Sequence, residues 1–369
     1  MKISVLNYTG HRANWGSRAT SENLLEDLRS VFGSDAEFHL VPLLSSGWKD
    51  RAVELIWGKR IHAALRGTRL PGDWLKSAAR VIYGAHLDQV QKADIVVFQS
   101  EGTMNGQKFS TGDRLLLLPY LAATVLDKPV LAINGSVEPI VPEFESAIRH
   151  VFQQFRYVAA REPVSKEYLN KIGVNASCLP DSAFDVRPST SEHAPCDPYI
   201  CLSGSAILRN VNYEAFFDAV IEWASSNGIA VVTLLSGPAD QKCFGEKPGV
   251  TRIQTEATPS EVAAVIEGAK LLISGRYHMN IFAAAVHTPF ISLPSGSHKT
   301  DGLLEILGNA VPSCTFDDLG AIRSTLNQVL RDRDAISAKL AAGMQAIQSL
   351  RAEGLQNLKA SFSRSEPAE

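Results

Sequence analysis

The sequence predicts an α/β protein built on two mostly parallel sheets, one in each of two domains. Three observations carry that reading. Short apolar runs alternate with helical patterns along most of the chain. The alternation breaks once, at the proline-bearing stretch Pro188 to Pro198, and then restarts. At 369 residues the chain also exceeds what one ordinary core accommodates. Parallel strands with right-handed helical crossovers follow from the alternation. The expected domains are 1–190 and 196–333, with a C-terminal helix over 335–360 packing back on the first domain.

Residues 2–8 read as the first strand, and the polar loop Thr9 to Ser17 holds Gly10, His11, Arg12, Asn14, Trp15 and Gly16. Leu24, Leu25, Leu28, Val31 and Phe32 then recur at helical spacing, so the loop joins a strand to a helix. Open α/β sheets bind ligands at such loops. A turn shaped only by backbone needs would show the same glycines.

Residues 45–90 are less regular. They carry Trp48, Trp57 and Trp74 among eight bases and four acids, a local positive excess in a mildly acidic chain. Aromatic rings among cations suit sugar faces or a phosphate-bearing acceptor, and the segment is a place for peripheral contact with a membrane surface. Amphipathic helices with solvated basic faces are the plainer alternative.

Ala93 to Ser100 reads as a buried strand ending in the loop Glu101-Gly102-Thr103-Met104-Asn105-Gly106. Arg114 to Leu126 follows as a helix, Lys128 to Ile133 as a strand closed by Asn134-Gly135-Ser136, and 142–154 as a helix. A strand over 155–160 ends at Arg161-Glu162, and Ser177 to Asp181 closes the half with a short strand and an acidic loop. Past the break come strands at 199–202, 230–235 and 251–254. Thr258-Pro259-Ser260-Glu261 has the form of a capping box with proline at the first helical position. Later segments are a strand at 289–293, a loop at 294–300 carrying His298 and Lys299, and helices near 316–333 and 335–360.

Composition narrows the classes. With 45% apolar and 20% charged residues and a net charge of -3, the chain has no basic excess for nucleic acid as an obligate partner. The cysteines Cys178, Cys196, Cys201, Cys243 and Cys314 are odd in number and lack zinc-site spacing, which points to a reducing compartment and to no metal. No apolar run approaches a membrane span of about 18 residues and no signal precedes the first strand, so a cytoplasmic location is expected.

The stretch Leu271 to Ala285 carries the chemistry. An apolar run meets the turn Ser274-Gly275-Arg276-Tyr277-His278, and an alanine-rich helix begins behind it. Backbone N–H groups and the helix dipole favour an anion there. Arg276 offers a charged fork and His278 a proton carrier near neutral pH. In the plainer alternative Arg276 pairs with a structural carboxylate and His278 packs. Two such α/β domains facing across a cleft are the arrangement of GT-B-type enzymes, an inference of fold alone.

Several blocks together resemble the polysaccharide pyruvyl transferase family. These are Ile273 to His278, Thr288-Pro289-Phe290-Ile291, Lys299 with Gly302-Leu303-Leu304, Asn14-Trp15-Gly16, Glu101-Gly102-Thr103, Ala160 to Ser165, and Leu179 to Phe184. The resemblance implies a GT-B-like fold of two Rossmann-like domains, phosphoenolpyruvate as donor, and a pyruvate ketal on a glycan or lipid-linked saccharide, with phosphate released and no cofactor. It implies donor binding by Arg161, Arg276 and Lys299 with Ser274 and Gly275, and His278 as general acid. Glu101 or Asp181 takes the proton of the attacking hydroxyl, and Asn14, Trp15 and Asn105 are expected on the acceptor side. Met279 and Ser100 depart from the small residues common in the family at those positions. A GT-B glycosyltransferase using a nucleotide-sugar donor is the rival enzyme, and a non-catalytic scaffold is a second rival.

Overall fold

The computed structural model describes residues 1–42, 48–104, 109–138, 142–205, 213–237, 240–241, 244 and 246–363. The chain divides into two compact units. One comprises Met1–Thr9, Leu24–Asp181 and Leu350–Glu369, the other Gly10–Asn23 and Ser182–Ser349.

The first unit is built on strands β1 (Lys2–Tyr8), β2 (Glu37–Pro42), β3 (Ile95–Met104), β4 (Val130–Val137), β5 (Tyr157–Ala160) and β6 (Ser177–Cys178). They pair in the order β2-β1-β3-β4-β5-β6, every ladder parallel. Alternate residues face opposite sides, as the pleat requires. Ile3, Val5, Ile95, Val97, Leu131 and Ile133 join one core with Leu24 and Leu28 of α1 (Trp15–Phe32). Leu6, Val96, Phe98, Val130 and Ala132 join the other. That second face is covered by α2 (Trp48–Ala64), α3 (Gly72–Tyr83), α4 (His86–Lys92), α5 (Phe109–Thr124) and α6 (Pro142–Phe152), and α7 (Pro163–Lys171) follows β5. A sheet buried on both sides explains why its strands read as continuous apolar runs.

Among the described residues of the irregular segment 45–90, from 48 on, three helices form. In α3, Leu75, Ala78, Ala79 and Tyr83 form a helical stripe that is buried, whereas α2 turns Leu55 and Ile56 outward and so lacks a one-sided pattern. Polar strand ends are a second difference from expectation. Glu101 to Met104 continues β3 rather than forming a loop, with Glu101 opposite Gly135 and a register shift before Met104. Polar residues there keep ladder partners, which a polarity pattern alone cannot show.

The second unit has β7 (Tyr199–Ser205), β8 (Ala230–Leu234), β9 (Val250–Ile253), β10 (Leu272–Gly275) and β11 (Phe290–Ser292), in the order β11-β10-β7-β8-β9, all parallel. Its helices are α8 (Tyr213–Ser226), α9 (Pro259–Gly268), α10 (Tyr277–Ala285), α11 (Lys299–Ile306), α12 (Leu319–Arg331) and α13 (Arg333–Ser363). At α9 the capping box forms in full: Glu261 N donates to Thr258 Oγ1 at 3.2 Å, and Thr258 N to Glu261 Oε2 at 2.7 Å.

The units part between Asp181 and Ser182, ahead of the proline-bearing stretch, and Ala183 and Phe184 of the 3-10 turn Ser182–Asp185 already lie in the second core. Within the first unit, the last turns of α13 are fixed by Arg351, which donates to Asp27 at 2.8 and 2.9 Å and to Pro180 O at 2.6 Å, and by the buried Leu358. Among the described residues no helix is long and apolar enough to cross a membrane.

Candidate active site

In the second unit Leu271, Leu272 and Ile273 are fully buried, β10 ends at Gly275, and Arg276 is the N-cap of α10. The expected strand-turn-helix is present, with one difference: His278 lies in the first turn of the helix, because α10 already begins at Tyr277. Ser274 Oγ accepts from Arg276 N at 2.9 Å, which shapes the turn. Gly275 has no room for a side chain, since a Cβ there would stand 2.5 Å from Ser205 Cβ and 3.0 Å from Pro294 O. The N-cap side chain, Arg276, makes no cap bond to the first turn of α10 and so leaves the field of that N-terminus to a ligand.

Arg276 donates from Nη2 to Asp240 Oδ1 at 2.5 Å. Asp240 is fully buried and also accepts from Ser236 N at 3.0 Å and Ser236 Oγ at 2.7 Å. The buried Arg276 Nε has no hydrogen-bond partner among the described residues. The pairing with a structural carboxylate that formed the plainer alternative therefore exists, yet it uses only part of the guanidinium fork. Lys299, the first residue of α11, holds Nζ 5.9 Å from the centre of the Tyr277 ring.

His278 rests on α1. Its Nε2 is 3.0 Å from Thr20 Oγ1, and a Cβ at Gly16 would fall 2.3 Å from His278 Cβ, Cγ and Nδ1 alike. The same turns of α1 hold two residues expected at the acceptor. Asn14 Oδ1 accepts from Ser17 N at 3.1 Å, the geometry of an N-cap. Trp15 is fully buried and donates from Nε1 to Ala257 O at 2.9 Å. The expectation for Trp15 is corrected accordingly: a ring without exposed surface has no face for a sugar, and its part is to pin α1 into the second core. Asn105 lies outside the described residues.

In the first unit, β5 delivers Arg161 and the segment after β6 delivers Asp181. Arg161 donates from Nη1 to Asp181 Oδ2 at 2.7 Å and from Nε to Ser136 Oγ at 2.8 Å. The two side chains are 1% and 0% exposed, so the structure brings the pair together as a buried ion pair. Glu101 sits in β3 at φ +45°, a left-handed backbone uncommon outside glycine and concentrated at functional sites. Its Oε1 accepts from Thr9 Oγ1 and, at 2.8 Å, from Gln99 Nε2. Asn7, also at positive φ, donates to Gln99 O at 2.6 Å and fixes the end of β1 against β3.

Asp240, Ser236, Ser136 and Thr20 escaped the sequence reading. Asp240, Ser136 and Thr20 each meet a site residue distant in sequence, Ser236 holds Asp240, and none sits in a recognisable motif. The positive φ of Glu101 likewise has no local signal.

Among solved structures the chain is similar to a calicheamicin glycosyltransferase, at 16% identity over 99% of both chains with a TM-score of 0.56. It is similar to a UDP-GlcNAc 2-epimerase from Neisseria meningitidis bound to UDP-GlcNAc, at 11% identity over 96% of this chain and 100% of that one with a TM-score of 0.59. It is also similar to the UDP-GlcNAc 2-epimerase of Methanocaldococcus jannaschii, at 13% identity over 89% and 93% with a TM-score of 0.57. These likenesses show the fold, which is GT-B-like. Among curated proteins none matches the chain. The sequence pattern of the polysaccharide pyruvyl transferases matches residues 14–297 and so takes in most of the chain; the protein belongs to the polysaccharide pyruvyl transferase family.

Proposed function

We propose that the protein transfers the pyruvyl skeleton of phosphoenolpyruvate onto two hydroxyls of a glycan or lipid-linked saccharide, forming a pyruvate ketal and releasing phosphate. The observation that carries this reading is the turn at the end of β10. There a guanidinium anchored at one nitrogen, a helix N-terminus and an imidazole in the first turn occupy three consecutive residues. A donor with a carboxylate and a phosphate needs such a concentration of positive charge.

His278, as imidazolium, protonates the methylene carbon of the donor, and the adjoining carbon becomes electrophilic. One sugar hydroxyl adds to that carbon. A second hydroxyl then displaces phosphate, so each acceptor oxygen gains a bond to the former enol carbon. Arg276 and Lys299 hold the donor's charges, with the N–H groups behind Ser274 and Gly275. Arg161 is the second guanidinium of the family pattern. Asp181 already compensates Arg161, which leaves Glu101, oriented by Thr9 and Gln99, as the base for the attacking hydroxyl.

The basic segment supports acceptor delivery at a membrane surface. On α2, Leu55 and Ile56 are 89% and 69% exposed, and Lys59 and Arg60 follow one turn later, also exposed. Apolar side chains beside cations suit an anionic lipid surface.

The test is incubation with phosphoenolpyruvate and a panel of glycan acceptors, assaying phosphate and acceptor mass. The expected result is one phosphate per acceptor gaining one pyruvate less one water. Glycosyl transfer from a nucleotide sugar without phosphate release from phosphoenolpyruvate would overturn the reading in favour of the rival enzyme.

A further inference from the structure

Asn14-Trp15-Gly16 precedes everything else in the family pattern, yet Trp15 is buried and Asn14 caps a helix, so neither explains why a glycine follows them. The structure supplies a reason at Gly16. Three atoms of His278 that share the plane of its ring lie at one distance, 2.3 Å, from the position a Gly16 Cβ would take. The Cβ–Cγ–Nδ1 edge of the side chain therefore packs directly on the bare backbone of Gly16. Contact at that distance is impossible for a real Cβ, and the neighbour involved is no flexible tip but the root of the imidazole. Any larger residue at 16 must push the ring away.

One helical turn further along α1, Thr20 meets the edge of the same ring. Its side chain is fully buried, and its Oγ1 is 3.0 Å from His278 Nε2. Residues 16 and 20 are i and i+4 on one helix and therefore share a face. A hydroxyl both donates and accepts, so it can bond Nε2 whether that nitrogen carries a proton or a lone pair. The helix bearing these residues is itself fixed in the second unit: Trp15 Nε1 and Arg18 Nη1 both donate to Ala257 O, at 2.9 and 3.2 Å. Gly10–Asn23 belongs to that unit although the chain on both sides of it belongs to the other.

We infer that Gly16 and Thr20 are positioning residues for His278, one giving the root of the imidazole a bare backbone to rest on and the other fixing its rotation through Nε2. The inference rests on the proposed role of His278 in the transfer. It assigns to the N-terminal segment a part in orienting the acid, where the sequence pointed to the acceptor.

The experiment compares Thr20→Val, Thr20→Ser, Gly16→Ala and His278→Ala in the full chain, with steady-state kinetics on phosphoenolpyruvate and nitrogen-15 spectra of the histidine rings. Thr20→Val is expected to lower kcat by roughly 10- to 100-fold while the donor KM changes by less than about 3-fold, the range of a lost orienting hydrogen bond. Thr20→Ser, which restores the hydroxyl, is expected to recover most of that loss. Gly16→Ala should lower kcat at least as far as Thr20→Val. The His278 Nε2 resonance should move in Thr20→Val and return in Thr20→Ser, a signature that does not depend on turnover. A wild-type kcat in Thr20→Val, or an unmoved Nε2 resonance, overturns the inference. Full activity in His278→Ala instead overturns the catalytic role beneath it, and the ring spectra then still report whether the seat exists.

Discussion

The guanidinium of Arg276 is anchored through Nη2 to the buried carboxylate of Asp240, which Ser236 holds in place through both its backbone N–H and its hydroxyl. The arrangement fixes one side of the fork. Replacing Arg276 with Ala is expected to raise the Kd for phosphoenolpyruvate by about 10- to 100-fold, the scale of one charge-assisted hydrogen-bond donor. Asp240→Asn keeps an acceptor but removes the charge and should weaken binding less, by about 3- to 10-fold on the same scale. Titration calorimetry checks both. An unchanged Kd in Arg276→Ala would remove that residue from the donor site.

Asp181 and Arg161 form a fully buried ion pair at 2.7 Å. Breaking a buried ion pair by removing one partner leaves an uncompensated charge and costs about 3 to 5 kcal/mol. Asp181→Asn should therefore lower the urea-unfolding midpoint substantially, and its loss of activity should accompany loss of fold. Wild-type stability with a selective fall in kcat would instead make Asp181 the base.

Removal of the imidazole separates chemistry from binding. His278→Ala is expected to lower kcat by about 10²- to 10⁴-fold, the usual reach of a general acid, with donor affinity nearly unchanged. Single-turnover phosphate release alongside calorimetric titration distinguishes the two effects. A variant with full turnover would take His278 out of the mechanism.

A buried carboxyl away from the site gives a pH dependence to stability. Asp113 on α5 accepts from Arg66 Nη1 at 3.0 Å and meets His62 Nδ1 at 3.1 Å, both from the end of α2 and the residues after it. Burial outweighs Arg66 and pushes the Asp113 carboxyl up from 3.8 to about 6. The folded chain thus keeps a proton that the unfolded chain releases near pH 4. The stability it contributes is complete below the unfolded value and is lost as pH rises through about 6. Unfolding midpoints followed between those limits should fall less steeply in Asp113→Asn than in the wild type. Parallel curves would contradict the shift.

Much of the fold was legible because both sheets are buried on two faces. Runs such as Ile95 to Phe98 and Leu271 to Ile273 have no polar interruption, and the capping box at Thr258 and Glu261 announces α9 by side-chain chemistry alone. The strand-turn-helix that carries Arg276 and His278 was legible because its residues adjoin in sequence. The site was illegible where partners come from far along the chain. Asp240 lies 36 residues before Arg276, Thr20 lies 258 before His278, and neither separation leaves a local pattern. Trp15 is placed on the acceptor side by resemblance, and its burial with the indole bonded to Ala257, 242 residues away, leaves no local pattern either.

Phosphoenolpyruvate labelled with carbon-13 at its enol carbon, incubated with the protein and a glycan acceptor and followed by carbon NMR, tests the proposed transfer most directly. The label should leave the vinyl region and reappear as a quaternary carbon bonded to two sugar oxygens, in step with free phosphate. A label that remains in phosphoenolpyruvate while the same sample consumes a nucleotide sugar would contradict it.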